Sequence, residues 1–487
     1  MAIESVEAGG WVAPSGRAQL DPAGGSSVAD RVQRGKAARR EVPLDAHAVL
    51  DLPAERPSPV DTLLAQEVGR LPDLVPLRHA RMVESPFAFL RGAAAVMADD
   101  LAHTAASGIV VQACGDAHAA NFGVQRTPRG DLTVDVNDFD ESLPAPFEWD
   151  VKRLAASLAV VGRERGFSTK ERRAVVTAVV AEYRESLRRL AEQDTLTVWN
   201  AQVDVATALA ELDADRRSRR EGESAVRLGR AAVKDSLKAM ARLTTLADGQ
   251  RRFVADPPVL VPLDDLGDDV DAADGTAALR ALLRGYRRSL GPDRAFLIDQ
   301  FHLVQAARKV VGVGSVGTRC WVLLLLGRDD ADALFLQVKE ATTSVLEPVA
   351  GRSGFGNAGQ RVVSGQRLMQ AHPDGFLGWA RARDEAGTDR DYYVRQLWDA
   401  RSGFDLMSGA RPAGLERYGR LCAWTLARAH ARSGDRVALA AYLGGSPRFE
   451  RAVAMFAEAY ADQTESDWHV LKQACADGAL PVAGAVG

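Results

Sequence analysis

What most narrows the folds open to this chain is a change of apolar period partway along it. From Asp61 to about His103, and again from Trp149 to about Leu246, large apolar residues recur at helical spacing, as in Phe87–Met97 (FAFLRGAAAVM). Between residues 300 and 400 the pattern turns to strand. Val304–Val311 runs into GVGSVG, then come Thr318–Leu326 (TRCWVLLLL), a polar turn at Arg328–Asp332, Ala333–Glu340 (ALFLQVKE) and, later, Tyr392–Leu397 (YYVRQL). After about Leu415 helical spacing returns through Leu421–Arg432 and Phe449–Tyr460. Strands gathered into one block between helical stretches predict an α+β fold. The expected division is a disordered tail at 1–45, a helical part at 46–295, a β-rich part at 296–400 and C-terminal helices at 401–487 that complete the helical part.

The tail is predicted from its Gly, Ala, Pro and Ser content and its few large apolar residues, which cannot offset the entropy of ordering. Its basic run Arg34–Arg40 (RGKAARR) reads as a solvated flank or as a phosphate-binding arm. The charged segment Glu211–Glu223 is expected to be exposed. Residues 250–275, with a Pro pair and an acidic run, read as a surface excursion.

Two loops early in the chain concentrate the polar chemistry. Gly115–Gly123 (GDAHAANFG) follows the strand-like Gly108–Ala113 and packs Asp116, His118 and Asn121 into six positions. An Asp with an Asn five residues later suits phosphoryl transfer: a carboxylate to take the proton of an attacking hydroxyl and an amide oxygen to hold a metal. A structural reading, an Asx-rich turn with a satisfied histidine, competes. The second loop, Asn137–Glu141 (NDFDE), follows the short strand Leu132–Val136 and offers Asp138, Asp140 and Glu141, hard oxygen donors suited to Mg2+. An acidic surface turn is the alternative.

Gly312, Gly314 and Gly317 form a G-x-G-x-x-G match, weak by itself. Its context is a hairpin ending in Lys339, whereas a dinucleotide fingerprint opens a helix. Only eight of the 61 basic residues are lysines, so a lysine inside an apolar strand points to a need for the ammonium itself. A glycine loop over phosphates and a lysine on a following strand is the arrangement of a kinase nucleotide lobe. A strand-edge lysine facing water is the simpler reading.

The overall balance, 61 basic against 65 acidic residues, favours no nucleic-acid partner. Four scattered cysteines give neither a disulfide framework nor a zinc site. No run approaches membrane-spanning length and the opening residues lack a signal-peptide pattern, so no membrane partner and a cytoplasmic location are expected.

GDAHAANFG followed by VDVNDFDE resembles the paired loops of aminoglycoside phosphotransferases and related small-molecule kinases. That resemblance implies Asp116 as catalytic base, Asn121 and Asp138 as magnesium ligands and His118 as a loop-stabilising residue. It also implies that Asp150, in WDVKRLAAS, begins the next helix and braces the catalytic loop. From Val32 to Asp467 the chain further resembles the bacterial family named domain of unknown function 2252, through RGKAARREVP, RMVESPFAFLRG, GDAHAANFG, NDFDE, WDVKRLAAS, VKEA, GQRVVSGQR, YYVRQL and YADQTESD.

The order of motifs departs from ordinary kinases, because Gly312–Lys339 follows the catalytic loop instead of preceding it. The expected fold is therefore a circularly permuted, bilobal kinase-like one, with ATP and Mg2+ between a helical lobe and a smaller antiparallel nucleotide lobe. Glu347, or else Glu340, is the expected acidic partner of Lys339. The expected activity is transfer of the ATP γ-phosphoryl group to a small-molecule hydroxyl, with adenylyl transfer left open. A kinase-like scaffold without activity and a two-metal phosphoesterase are the competing classes. For the latter, Asp45-Ala46-His47 supplies a first element, but His302, His372, His430 and His469 supply no matching later ones.

Overall fold

The helix Phe147–Glu164 is the axis on which the rest is packed, and Phe147 through Gly162 are all buried. A helix covered on every side forms the interior of the part it belongs to. The computed structural model describes residues 20, 25–127, 132–202, 243–247, 250–266, 272–384, 387–397 and 411–483. Around the axial helix lie the helices Thr169–Ala191, Pro412–Ser433 and Arg448–Ala476, so the chain's last hundred residues close the helical part begun by its first two hundred. Ser168 starts the first of these with a reciprocal capping box to Glu171, a device that typically contributes about 1 kcal/mol.

The axial helix also buries Glu148, Asp150, Lys152 and Arg153. Buried charge requires partners. Glu148 accepts from the Ser107 N–H (2.7 Å), Lys152 donates to Thr104 Oγ1 (2.8 Å), and Asp150 and Arg153 reach the Gly115–Gly123 loop.

The strand-rich block forms one antiparallel sheet of six strands, in the order Gly378–Arg383, Asp389–Gln396, Ala333–Ala341, Cys320–Leu326, His302–Lys309, Leu260–Pro262. Both faces are covered. Leu323, Leu325, Leu334, Leu336 and Val338 pack against Leu279, Leu282 and Tyr286, whereas Val322, Leu324, Leu326 and Phe335 pack against Phe253 and Leu260. By the two-residue alternation of a strand, Lys339 shares the face of Phe335 and Gln337. The helix Ala358–Met369 joins the sheet to the helical part: Arg361 donates to Ser142 O (2.9 Å) and Thr342 O (2.8 Å), and Gln370 just beyond it donates to Val136 O (2.7 Å). Two-stranded antiparallel ribbons, Val110–Ala113 with Leu143–Pro146 and Phe122–Arg126 with Leu132–Val136, carry the early loops. The fold is thus mixed α+β with antiparallel sheets.

Several sequence expectations need correction. The tail does not extend to residue 45, because Val28–Glu41 is a helix and Leu44–Ala48 a 3-10 turn. Its anchors are not large apolar groups. A Cβ on Gly35 would lie 2.1 Å from Ala438 O, so glycine allows the backbones to close, and Arg31 and Arg34 both bond Asp435 at 2.8 Å. Arg34–Arg40 is therefore part of a packed helix. Phe87–Met97 is not one helix but two, Pro86–Gly92 and Ala94–Ala102, broken at Ala93. The boundary at 295/296 also falls too late: Leu260–Pro262 is an edge strand of the large sheet, and the helix Ala272–Arg287 packs on it through Leu279, Leu282 and Tyr286. Most of the tail, the segment Glu211–Glu223 and residues 267–271 lie outside the described residues.

Candidate active site

The Gly115–Gly123 loop leaves its strand through Gly115, whose φ of +82° suits glycine and whose Cβ would lie 2.4 Å from Glu141 O. That close approach brings the two acidic loops together. Asp150, in the first turn of the axial helix, braces the turn: its carboxylate accepts from Cys114 N (2.6 Å) and Gly115 N (3.0 Å). Behind it stand His430, with Nε2 at 3.2 Å, and Tyr183, whose hydroxyl meets His430 Nδ1 at 2.8 Å.

Asp116 lines a cleft together with His118, Asn121, Asp138, Asp140, Glu141, Gly312, Gly314 and Ser315. Arg153 holds Asp116 Oδ1 from both Nε (2.9 Å) and Nη2 (2.7 Å), while Oδ2 lies 3.7 Å from His118 Nε2. Burial, helped by Arg153 and Arg91 and opposed by Asp116, lowers the His118 imidazole to about 4, so it is neutral at neutral pH. Asn121 donates its amide nitrogen to Asp116 O (2.7 Å), which leaves the side-chain oxygen as the atom suited to a cation.

Lys339 is buried and its ammonium rests on Asp140 Oδ2, with Asp138 Oδ2 at 3.9 Å. Burial disfavours its charge, but Asp138 and Asp140 outweigh this and hold the ammonium above its ordinary range. Asp140 Oδ1 also accepts from Tyr393 OH (2.7 Å), and Tyr393 is the register partner of Lys339. Glu141 accepts from the Val345 N–H (2.7 Å), and burial, countered by Arg361, pushes its carboxyl up to about 7. Among the described residues no three His, Cys, Asp or Glu side chains could hold a metal by themselves. Magnesium does not require such a set, since phosphate oxygens and water complete its shell beside one or two carboxylates.

The structure therefore brings Asp116, His118, Asn121, Asp138, Asp140, Gly312 and Gly314 to one cleft, with Lys339 bonded into its acidic side. Gly317 does not line it; its carbonyl accepts from Leu71 N (2.7 Å) and its α-carbon packs on Arg70. Glu347 is not the partner of Lys339. It caps its own turn through Ser344 N (3.4 Å), and Glu340 is taken by Arg319 and Arg390. The acidic partner lies instead on the loop of Asp138 and Asp140. Asp45-Ala46-His47 also stands outside the cleft, with His47 buried against Tyr442 and Phe449. Sequence reading missed Arg153 and Arg91. For Arg91 the signal was a single arginine closing an apolar helical run, in SPFAFLRG; for Arg153 it was a charge beside Asp150 and Lys152 in a segment whose other residues are apolar or small, in WDVKRLAAS.

Fold and site together define an α+β protein with an acidic, glycine-roofed cleft. A family model described as "Uncharacterized protein conserved in bacteria (DUF2252)" matches residues 70–474, and the chain belongs to that family. No curated protein and no solved structure matches it. No described helix is long and apolar enough to cross a membrane.

Proposed function

We propose that the chain is a kinase-like phosphotransferase that moves the γ-phosphoryl group of magnesium-bound ATP to a hydroxyl of a small molecule. The observation that carries this reading is the meeting of Lys339 with Asp138 and Asp140 in the cleft that Gly312, Gly314 and Asp116 also line. The chain order of the sheet supports it further: strand, glycine loop, strand, lysine strand, helix, then two strands ending beside the lysine strand. This is the order of a kinase nucleotide lobe, and its position after the acidic loops corresponds to a circularly permuted, bilobal arrangement. In this reading the likeness to aminoglycoside phosphotransferases would rest on a succession of elements as well as on two loops.

In this reading Asn121, Asp138 and Asp140 supply oxygen donors to magnesium, and Lys339 passes from Asp140 to phosphate oxygens. The acceptor oxygen attacks the γ-phosphorus, the bond to the ADP oxygen breaks, and the acceptor's proton goes to Asp116 Oδ2. Arg153, on Oδ1, fixes the carboxylate's orientation.

A thermal-shift series with nucleotides, with and without magnesium, tests the assignment. Magnesium with ATP should stabilise the chain, and Asp138→Ala should remove the effect; no stabilisation by any nucleotide with a divalent ion would end the proposal. Asp116→Asn should lower turnover by about 10³-fold with nucleotide affinity retained, and unchanged turnover would remove Asp116 as the base.

A further inference from the structure

Of the cations at the cleft, most are already engaged. Lys339 rests on Asp140, Arg153 on Asp116, and Arg70 donates to Gln66 O (3.1 Å) and Val316 O. Arg91 differs. It lines the cleft from the end of the helix Pro86–Gly92, its Nε is buried without a hydrogen-bond partner, and it makes no ion pair among the described residues. Its guanidinium carbon lies 5.9 Å from the Phe87 ring, a weak compensation for a half-buried charge that only the more distant Asp116 and Glu84 otherwise favour.

The backbone beside it is nevertheless tightly held. Leu90 O accepts from Arg153 (2.6 Å) and Gly92 O from Arg78 (3.1 Å), while Arg91 O lies 3.3 Å from where a Cβ on Gly314 would be. The side chain is therefore positioned at the glycine loop. A second unpartnered group lines the same cleft: His118 Nδ1 is buried without a hydrogen bond, and its ring packs edge-on against Phe87 at 6.3 Å.

We propose that Arg91, with His118, forms an anion subsite that binds a phosphate group in the cleft near Asp116. A guanidinium offers paired N–H donors that match phosphate oxygens, and among the described residues no carboxylate bonds them, although Asp116 and Glu84 lie near enough to favour the charge. Lys339 cannot serve the same purpose without a cation, because Asp138 and Asp140 already neutralise it. The phosphate could be the terminal group of the nucleotide or part of an anionic acceptor.

Inorganic phosphate titrated calorimetrically into the full chain without magnesium tests the subsite. Arg91→Gln should weaken binding by about tenfold or more, and Arg91→Lys should keep part of it. The unliganded Arg91→Gln protein should melt no lower than wild type, since the cost of burying this charge outweighs the pull of Asp116 and Glu84; a structural arginine would give the opposite. Unchanged phosphate affinity in Arg91→Gln overturns the proposal. Should that variant fold poorly, phosphate should shield Arg91 of the wild-type chain from phenylglyoxal, read by peptide mass spectrometry, and absence of shielding overturns it equally.

Repeating the titration with a saturating magnesium complex of a non-hydrolysable ATP analogue separates the sources. Loss of phosphate binding assigns the subsite to the nucleotide, and retention assigns it to an anionic acceptor. Phosphate binding through Arg91 in a chain that ignores magnesium-ATP would refute the transferase reading alone. Nucleotide binding with no role for Arg91 would refute the subsite alone.

Discussion

The acidic loops and the glycine loop line one cleft, yet they are anchored by different means. The acidic side is tied down by buried, charge-assisted bonds: Asp150 on two backbone N–H groups, Arg153 on Asp116, and Arg428 on Asp135 at 2.6 Å. The glycine side is held by backbone carbonyls, with Arg81 on Gly312 O (2.6 Å), Arg70 on Val316 O and the Leu71 N–H on Gly317 O. Ion pairs and bonds to buried carboxylates are costlier to lose than single guanidinium or amide bonds to a carbonyl, of which the one on Gly312 is exposed. The difference teaches that the acidic side is preorganised, while the roof is fastened at Gly312 by an exposed contact that can open at small cost.

The contrast can be broken first where the two sides meet. Lys339→Met leaves Asp138 and Asp140 facing one another without their cation, and should cost about 3 kcal/mol in urea unfolding. A loss no larger than that of a surface substitution would show that the contact is not a buried ion pair. On the acidic side alone, Asp150→Ala strips two N–H groups of their acceptor and should cost about 2–3 kcal/mol, with faster amide exchange at Cys114 and Gly115.

Glu141 sharpens the comparison through pH. Its folded value of about 7 lies above the ordinary 4.5, so between these the folded chain keeps a proton that the unfolded chain has released. Stability from this group is full below pH 4.5 and lost as pH rises through 7. Relative to wild type, Glu141→Gln should therefore gain up to about 3 kcal/mol across that window, and parallel pH–stability curves would contradict the assignment. The smallest effect belongs to the roof: Arg81→Ala should cost less than about 1 kcal/mol while speeding amide exchange around Gly314. A larger loss would mean that the glycine loop is as firmly built as the acidic loops.

Much of the cleft was legible because its parts are local. Gly115 and Asp116–Asn121 announce a turn by their residue types, and an apolar strand around Lys339 marks that lysine as unusual in so arginine-rich a chain. The helix Val28–Glu41 was not legible, because its partner Asp435 lies some four hundred positions away and its contact depends on the smallness of Gly35. The same holds for Lys339, whose carboxylate stands 199 residues earlier on a loop that sequence reading had assigned wholly to metal. Arg91 shows nothing in its own segment to indicate that, among the described residues, no carboxylate bonds it.

Sequence alone determined the periodicities, the turn chemistry and the residue types at each loop, since these depend on neighbours within a few positions. Tertiary structure decided which face of the sheet Lys339 uses, which acid it meets, where the sheet begins and that, among the described residues, Arg91 forms no ion pair. Those outcomes depend on pairings across hundreds of residues, where burial and Coulomb energy select partners that no local pattern encodes.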